Sequence, residues 1–187
     1  MISLTKVWLH HDSARFEELV RAHGASLYRV AYRLCGDQDD AEDLLQEALL
    51  EAFEAFGRFR AGTHFDRWVF RIMRNSYIDR VRKRPKARID SLDGTHGNGQ
   101  FNGTREIVDL TSVPDLRILA DTLDGPIQLA LQSLPEEFRT VVILSDLEEL
   151  SYQEISQTLG CPIGTVRSRL HRGRSILKEK LKSYVRY

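Results

Sequence analysis

The sequence predicts an all-α protein made of two small helical domains joined by a flexible linker, and three observations carry that expectation. Apolar residues recur at three- and four-residue spacings in both halves of the chain, the period of a helix with one buried face. That periodicity fails between about Pro85 and Asp124, where "SLDGTHGNGQFNGT" holds four glycines and two asparagines in fourteen residues. Charge, finally, is sorted into blocks. Residues 37–54 carry eight acids and no base, and residues 58–90 carry eleven Lys/Arg against three acids. Residues 91–160 hold twelve acids to three bases, and residues 161–187 eight bases to one acid. A formal net charge of zero therefore conceals two basic blocks set between acidic ones, the pattern of two nucleic-acid contacts rather than of a neutral surface. The expected division is residues 1–88, a linker over 89–124, and residues 125–187.

In chain order, Phe16, Leu19, Val20, Leu27, Val30, Ala31 and Leu34 form a first apolar stripe that ends at Cys35-Gly36. Asp37 is a good N-cap for a second helix, with Asp39, Asp40 and Glu42 in its first turn, where the helix dipole favours acids. That helix should run to about Phe56, with Gly57 stopping it. "RFRAGTH" reads as a loop, and Thr63 is the expected cap of a third helix ending near Arg84-Pro85. Helical pattern returns at about Gly125-Pro126. Pro135 suits a first-turn position, with two glutamates behind it. "SYQE" reads as a capping box from Ser151 to Glu154. Gly160-Cys161-Pro162 then turns the chain into a long basic helix from about Ile163 to Tyr184.

Composition excludes several classes. With 42% hydrophobic and 29% charged residues, the 187-residue chain can bury a core and reads as soluble and globular. No apolar run approaches the roughly 20 residues that cross a bilayer. The N-terminus meets His10, His11 and Asp12 too early for a signal peptide. Two isolated cysteines, Cys35 and Cys161, suit a reducing compartment, so a cytoplasmic location is expected. The histidines show no metal-ligand spacing, the linker's "GNG" has no strand or helix around it, and the "DAED" carboxylates lack an apolar pocket. Neither a cofactor, a metal nor a catalytic residue is expected.

A short helix, a three-residue turn and a second helix make a helix-turn-helix. In its last helix Val166, Leu170, Ile176, Leu177 and Leu181 can face inward, leaving Arg167, Ser168, His171, Arg172 and Arg174 largely outside. The N-terminal part of such a helix enters the major groove. Arginine grips guanine or phosphate there, while Thr165 and Ser168 donate to phosphate. No acid occurs from 161 to 178.

"DAEDLLQEALLEAF", "FDRWVFRIMRNSYIDRVRK" and "LPEEFRTVVILSDLEELSYQEISQTLGCPIGTVRSRLHRGRSILKEKL" together resemble a bacterial sigma factor of the extracytoplasmic-function (ECF) group. The resemblance covers both halves of the chain, leaving out the extreme N-terminus and the linker. It implies a transcription initiation factor, not an enzyme, that brings core RNA polymerase to promoter DNA. Asp40, Glu42, Asp43, Gln46 and Glu47 would dock on the clamp helices of the polymerase β′ subunit, with the β subunit as a further contact. Arg60, Thr63, His64, Arg71, Arg74 and Asn75 would recognise and melt the −10 element, Asn75 against an exposed base and the loop Phe59–His64 around a flipped one. Phe59 and Trp68 offer aromatic surface for such a base, although Trp68 at helical spacing suits the core better. "AGTH" departs from the turn common in the family, which leaves the captured base open. Thr165, Arg167, Ser168, His171, Arg172 and Arg174 would read the −35 element. The family commonly has an anti-sigma partner, and the linker acids could enter the polymerase cleft or simply solvate a tether. The rival reading is a free-standing DNA-binding regulator, which would bind a palindromic duplex tightly by itself as a dimer.

Overall fold

A computed structural model describes residues 4–60, 62–83, 125–182 and 184, with side chains from Ser13 onward. The linker expected at 89–124 lies outside the described residues. Every described element is helical, in agreement with the all-α expectation.

Helix α1 runs from Leu4 to Cys35, well ahead of the apolar stripe that begins at Phe16. It ends where Gly36 takes a left-handed φ of 79° and its N–H returns to the Tyr32 carbonyl at 2.8 Å. Helix α2, Gln38–Glu54, opens on Asp37, whose carboxylate accepts the Asp40 N–H at 3.0 Å as a capping residue should. It stops short of Phe56, because a 3₁₀ turn over Phe56–Arg58 tightens the chain before the loop. Helix α3 spans Phe65–Lys83. Thr63 does not cap it: its hydroxyl donates back to the Arg60 carbonyl at 2.7 Å, and the first helical bond runs from Trp68 N–H to the His64 carbonyl.

In the second half, α4 covers Gly125–Gln132 and α5 covers Glu136–Val142. Pro135 sits one place earlier than expected, at the cap of α5. The chain then widens into a single π-helical turn, Ile143–Leu147, closed by Glu148 N–H on the Ile143 carbonyl at 3.1 Å. Ser151 and Glu154 form the expected capping box of α6, Tyr152–Leu159, and Gly160 ends it at φ 62°. Helix α7 runs Ile163–Leu181. Val166, Leu170 and Gly173 form its buried face. At Gly173 an added Cβ would lie 2.8 Å from Val142 Cγ2, so α5 and α7 cross at a distance only glycine allows.

The N-terminal and C-terminal helical domains expected from the sequence are both present, and their described helices share one apolar core. Phe16, Leu34, Leu45 and Met73 from the first half share it with Leu131, Ile143, Leu144 and Ile155 from the second. Helix α4 and the π turn pack on α1, and α6 packs on α3.

A polar seam joins the halves at the C-terminus of α1, whose last carbonyls have no partner within their own helix. Gln128 Nε2 donates to the Tyr32 carbonyl at 3.3 Å, and Gln132 Nε2 to the Arg33 carbonyl at 2.9 Å. Arg139 Nη1 donates to the Leu34 carbonyl at 2.7 Å, to Tyr77 Oη at 2.5 Å and to Gln132 Oε1 at 2.7 Å. Its Nη2 donates to the Gln132 and Leu134 carbonyls at 2.5 and 2.9 Å. Arg139 is only 7% exposed, and these five acceptors are all uncharged oxygens. The negative ends of two helices, α1 and α4, supply the field that holds its charge there.

Candidate nucleic-acid interface

The arginines of α7 divide by their neighbours. Arg167, Ser168, His171 and Arg172 are exposed on the face opposite the buried Val166, Leu170 and Gly173, and Thr165 is half-exposed beside them. The Ser168 hydroxyl donates to the Thr165 carbonyl at 3.0 Å. Arg169 turns back to Glu137 at 3.1 Å. Arg174 is gripped by Asp146 at 2.5 and 3.0 Å, with Tyr152 Oη and Ser145 Oγ at 3.3 and 3.2 Å. The Asp146 carboxylate, followed by the Tyr152 hydroxyl, raises the Arg174 pKa above its ordinary value. Arg174 therefore ties α7 to the π turn, while Arg167 and Arg172 present their guanidiniums outward.

Of the residues expected at the −10 element, Arg60, Thr63, His64, Arg71 and Asn75 are exposed. Asn75 Oδ1 accepts from Arg74 Nη1 at 3.3 Å. Arg74 is half-buried, and burial followed by the Arg169 cation pushes its pKa down. Phe59 and Trp68 are half-buried with ring centroids 5.1 Å apart, and Phe59 also stacks on Phe56 at 5.7 Å. Both rings belong to the aromatic cluster around Phe65 that props the loop.

On α2 the acids Asp40, Asp43 and Glu47 recur at helical spacing, with Glu42 and Gln46 flanking them. Asp43, Gln46 and Glu47 are exposed, whereas Asp40 and Glu42 are half-buried. Glu47 is held by Arg80 of α3 at 2.6 Å, and Arg80 Nη1 reaches the Asp40 carbonyl at 3.5 Å. Glu42 accepts from Gln38 at 3.2 Å. The result is an acidic helix face pinned to a basic helix.

Two family models match the chain, Sigma-70 region 2 over residues 19–87 and Sigma-70 region 4 over residues 124–177. The ECF RNA polymerase sigma factor SigW of Bacillus subtilis is 34% identical, with 91% of each chain covered. The chain is an ECF sigma factor. The ECF RNA polymerase sigma factor SigE of Mycolicibacterium smegmatis is 42% identical over 89% of this chain, which spans 61% of that relative's length. Among solved structures, the sigma factor RpoE of Bartonella quintana in complex with the anti-sigma factor NepR superposes with a TM-score of 0.67 at 25% identity. That likeness covers 92% of this chain and 99% of that one. A sigma factor is a transcription initiation factor rather than an enzyme, directing RNA polymerase to promoters.

The sigma factor's seam residues Gln128, Gln132, Arg139 and Glu148 are not legible as functional in the sequence. Arg139 alone leaves a trace, as a single charge inside the apolar run "FRTVVIL". Among the described residues no group of three or more His, Cys, Asp or Glu side chains is placed to hold a metal ion, and no helix is long and apolar enough to cross a membrane.

Proposed function

We propose that this ECF sigma factor docks on the β′ clamp helices of core polymerase through Asp40, Glu42, Asp43, Gln46 and Glu47, with the β subunit as a second contact. In this reading α7 reads the −35 element with Thr165, Arg167, Ser168, His171 and Arg172, and Arg174 either joins them or holds the helix in place. The loop and α3 engage the −10 element through Arg60, Thr63, His64, Arg71, Arg74 and Asn75. Residues 1–88 and 125–187 act as the two functional domains, with 89–124 between them, in the cytoplasm and under the control of an anti-sigma partner. The observation that carries the reading is the pairing of an outward acidic face on α2 with outward guanidiniums on the N-terminal half of α7. An acidic face repels DNA and suits a basic protein partner, and the exposed arginines suit a groove. The solved complex of a similar sigma factor with an anti-sigma factor supports the regulatory part.

Run-off transcription with core polymerase and a genomic promoter library tests the whole. Promoters recovered with the parent should be lost or re-ranked by Arg167→Ala or Arg172→Ala, with a cost of about 1–3 kcal/mol for a base-edge contact. Unchanged promoter use in both variants would remove α7's outward face from the site.

A further inference from the structure

Helix α7 is held from both flanks as well as from beneath. At about 3.6 residues per turn, Arg169 and Arg174 fall roughly 70° to either side of the buried line of Val166, Leu170 and Gly173. Arg169 pairs with Glu137 of α5, and Arg174 with Asp146 of the π turn. Ion pairs on opposite flanks resist rolling of the helix about its axis in either direction. The bare backbone at Gly173 sets how closely α7 approaches α5 but offers no side chain to stop it turning.

Arg174 makes the more demanding pair. Its Nε and Nη2 grip the two Asp146 oxygens as a fork at 3.0 and 2.5 Å. Nη2 also donates to Ser145 Oγ at 3.2 Å, and Nη1 donates to Tyr152 Oη at 3.3 Å. These bonds occupy most of the N–H groups that a guanidinium offers. A phosphate takes Arg174 only by breaking the Asp146 fork, where a planar, charge-assisted pair is already made. The same bonds join three elements at one point: the π turn through Ser145 and Asp146, the first residue of α6 through Tyr152, and α7.

The tolerance for rolling is small. Side-chain atoms lie about 5–6 Å from a helix axis, so a roll of about 20° carries them about 2 Å sideways. A hydrogen bond to a base edge keeps its length within about half an ångström, so that displacement breaks it.

We propose that Arg174, together with Asp146, Ser145 and Tyr152, is a positioning unit for −35 readout: it fixes the rotation of α7, and with it the aim of Arg167, Ser168 and Arg172, without touching DNA itself. The proposal rests on the assignment of the outward face of α7 to the −35 element. An acidic side chain then favours DNA binding. Asp146 repels phosphate, so its charge alone predicts that removing it tightens the complex, as would release of Arg174 to serve as a new DNA contact. Loss of aim predicts the opposite sign.

The test uses holoenzyme assembled from the full chain and core polymerase, on a promoter recovered in the run-off selection and on the same promoter with its −35 block scrambled. The readout is the ratio of transcription from the two templates. Asp146→Ala should lower that ratio by about fivefold or more, the worth of one base-edge contact. Glu179→Ala, which also removes one acid, at the exposed far end of α7, should leave it at the parent value. Arg174→Asp should fall at least as far as Asp146→Ala. Combining Arg174→Asp with Asp146→Arg rebuilds the pair with its charges exchanged and should restore most of the ratio, which no guanidinium needed on DNA would allow. An exposed ion pair contributes little to stability, so melting midpoints should stay within about 4 °C of the parent. Tyr152→Phe removes a single hydroxyl and should give a smaller fall in the same ratio, which covers a charge variant that fails to fold. The proposal is overturned if Asp146→Ala keeps or raises the ratio, or if the exchanged pair discriminates no better than Arg174→Asp alone. A parent that does not discriminate between the templates would overturn the −35 assignment and the positioning unit with it. A discriminating parent whose variants discriminate equally well would overturn the positioning unit alone.

Discussion

Replacing Arg139 with methionine keeps the apolar stem and removes four Nη protons shared among five acceptors, Tyr77 Oη, Gln132 Oε1 and the carbonyls of Leu34, Gln132 and Leu134. Tyr77 can turn its hydroxyl to one of the freed oxygens, and the Gln132 amide can adjust. Two buried carbonyls then remain without a donor, each costing about 1–3 kcal/mol. Relief from burying a guanidinium offsets part of the loss. The net expectation is a destabilisation of about 2–4 kcal/mol. For a chain of this size each kcal/mol moves the midpoint by about 2–4 °C, so Arg139→Met should melt roughly 10 °C below the parent. Arg139→Lys, with three donors in place of five, should fall between them. Thermal unfolding followed by circular dichroism at one pH and salt concentration is the assay. A shift below about 3 °C for the methionine variant would mean that the seam is not held by this guanidinium.

Two glycines give sharper steric tests. Gly173→Ala puts a methyl 2.8 Å from Val142 Cγ2 and 3.4 Å from Phe138 Cβ, so α5 and α7 must part. A loss of about 1–3 kcal/mol is expected, with weakened −35 binding, and a neutral result would show that the crossing has slack. Gly36→Ala combines a φ of 79° with a Cβ 2.6 Å from the Gln132 side chain. The backbone cost alone is about 1–2 kcal/mol, and chemical denaturation should register at least that.

The helical elements were legible because each ends on short-range chemistry: the Asp37 cap, the Ser151–Glu154 box and the left-handed Gly160 are all readable from residue type and spacing. The misplacements share a cause. Thr63 was the best cap by residue type, but its hydroxyl is occupied by the Arg60 carbonyl in a turn that spacing does not reveal. The π turn at Ile143–Leu147 leaves no compositional mark, although it delivers Glu148 to α1. Outward arginines on α7 follow from the apolar period, but the diversion of Arg169 and Arg174 to Glu137 and Asp146 depends on partners about thirty residues away in sequence. The closure of the two halves was hidden for the same reason. A glycine-rich segment between two periodic stretches says that the halves are separable in the chain, not that they stand apart in the fold.

Docking through α2 is tested most directly by Asp43→Lys combined with Gln46→Lys, two exposed positions whose replacement should leave the melting temperature unchanged. The double variant and the parent are compared for retention on immobilised core polymerase and for promoter-specific run-off transcription. Loss of both, with the weak, salt-sensitive gel shift of the free chain on duplex DNA undiminished, is the predicted result. Full retention of the variant would contradict docking through this face. Nanomolar, sequence-specific duplex binding by the parent alone, with no retention on polymerase, would contradict the sigma-factor mechanism itself.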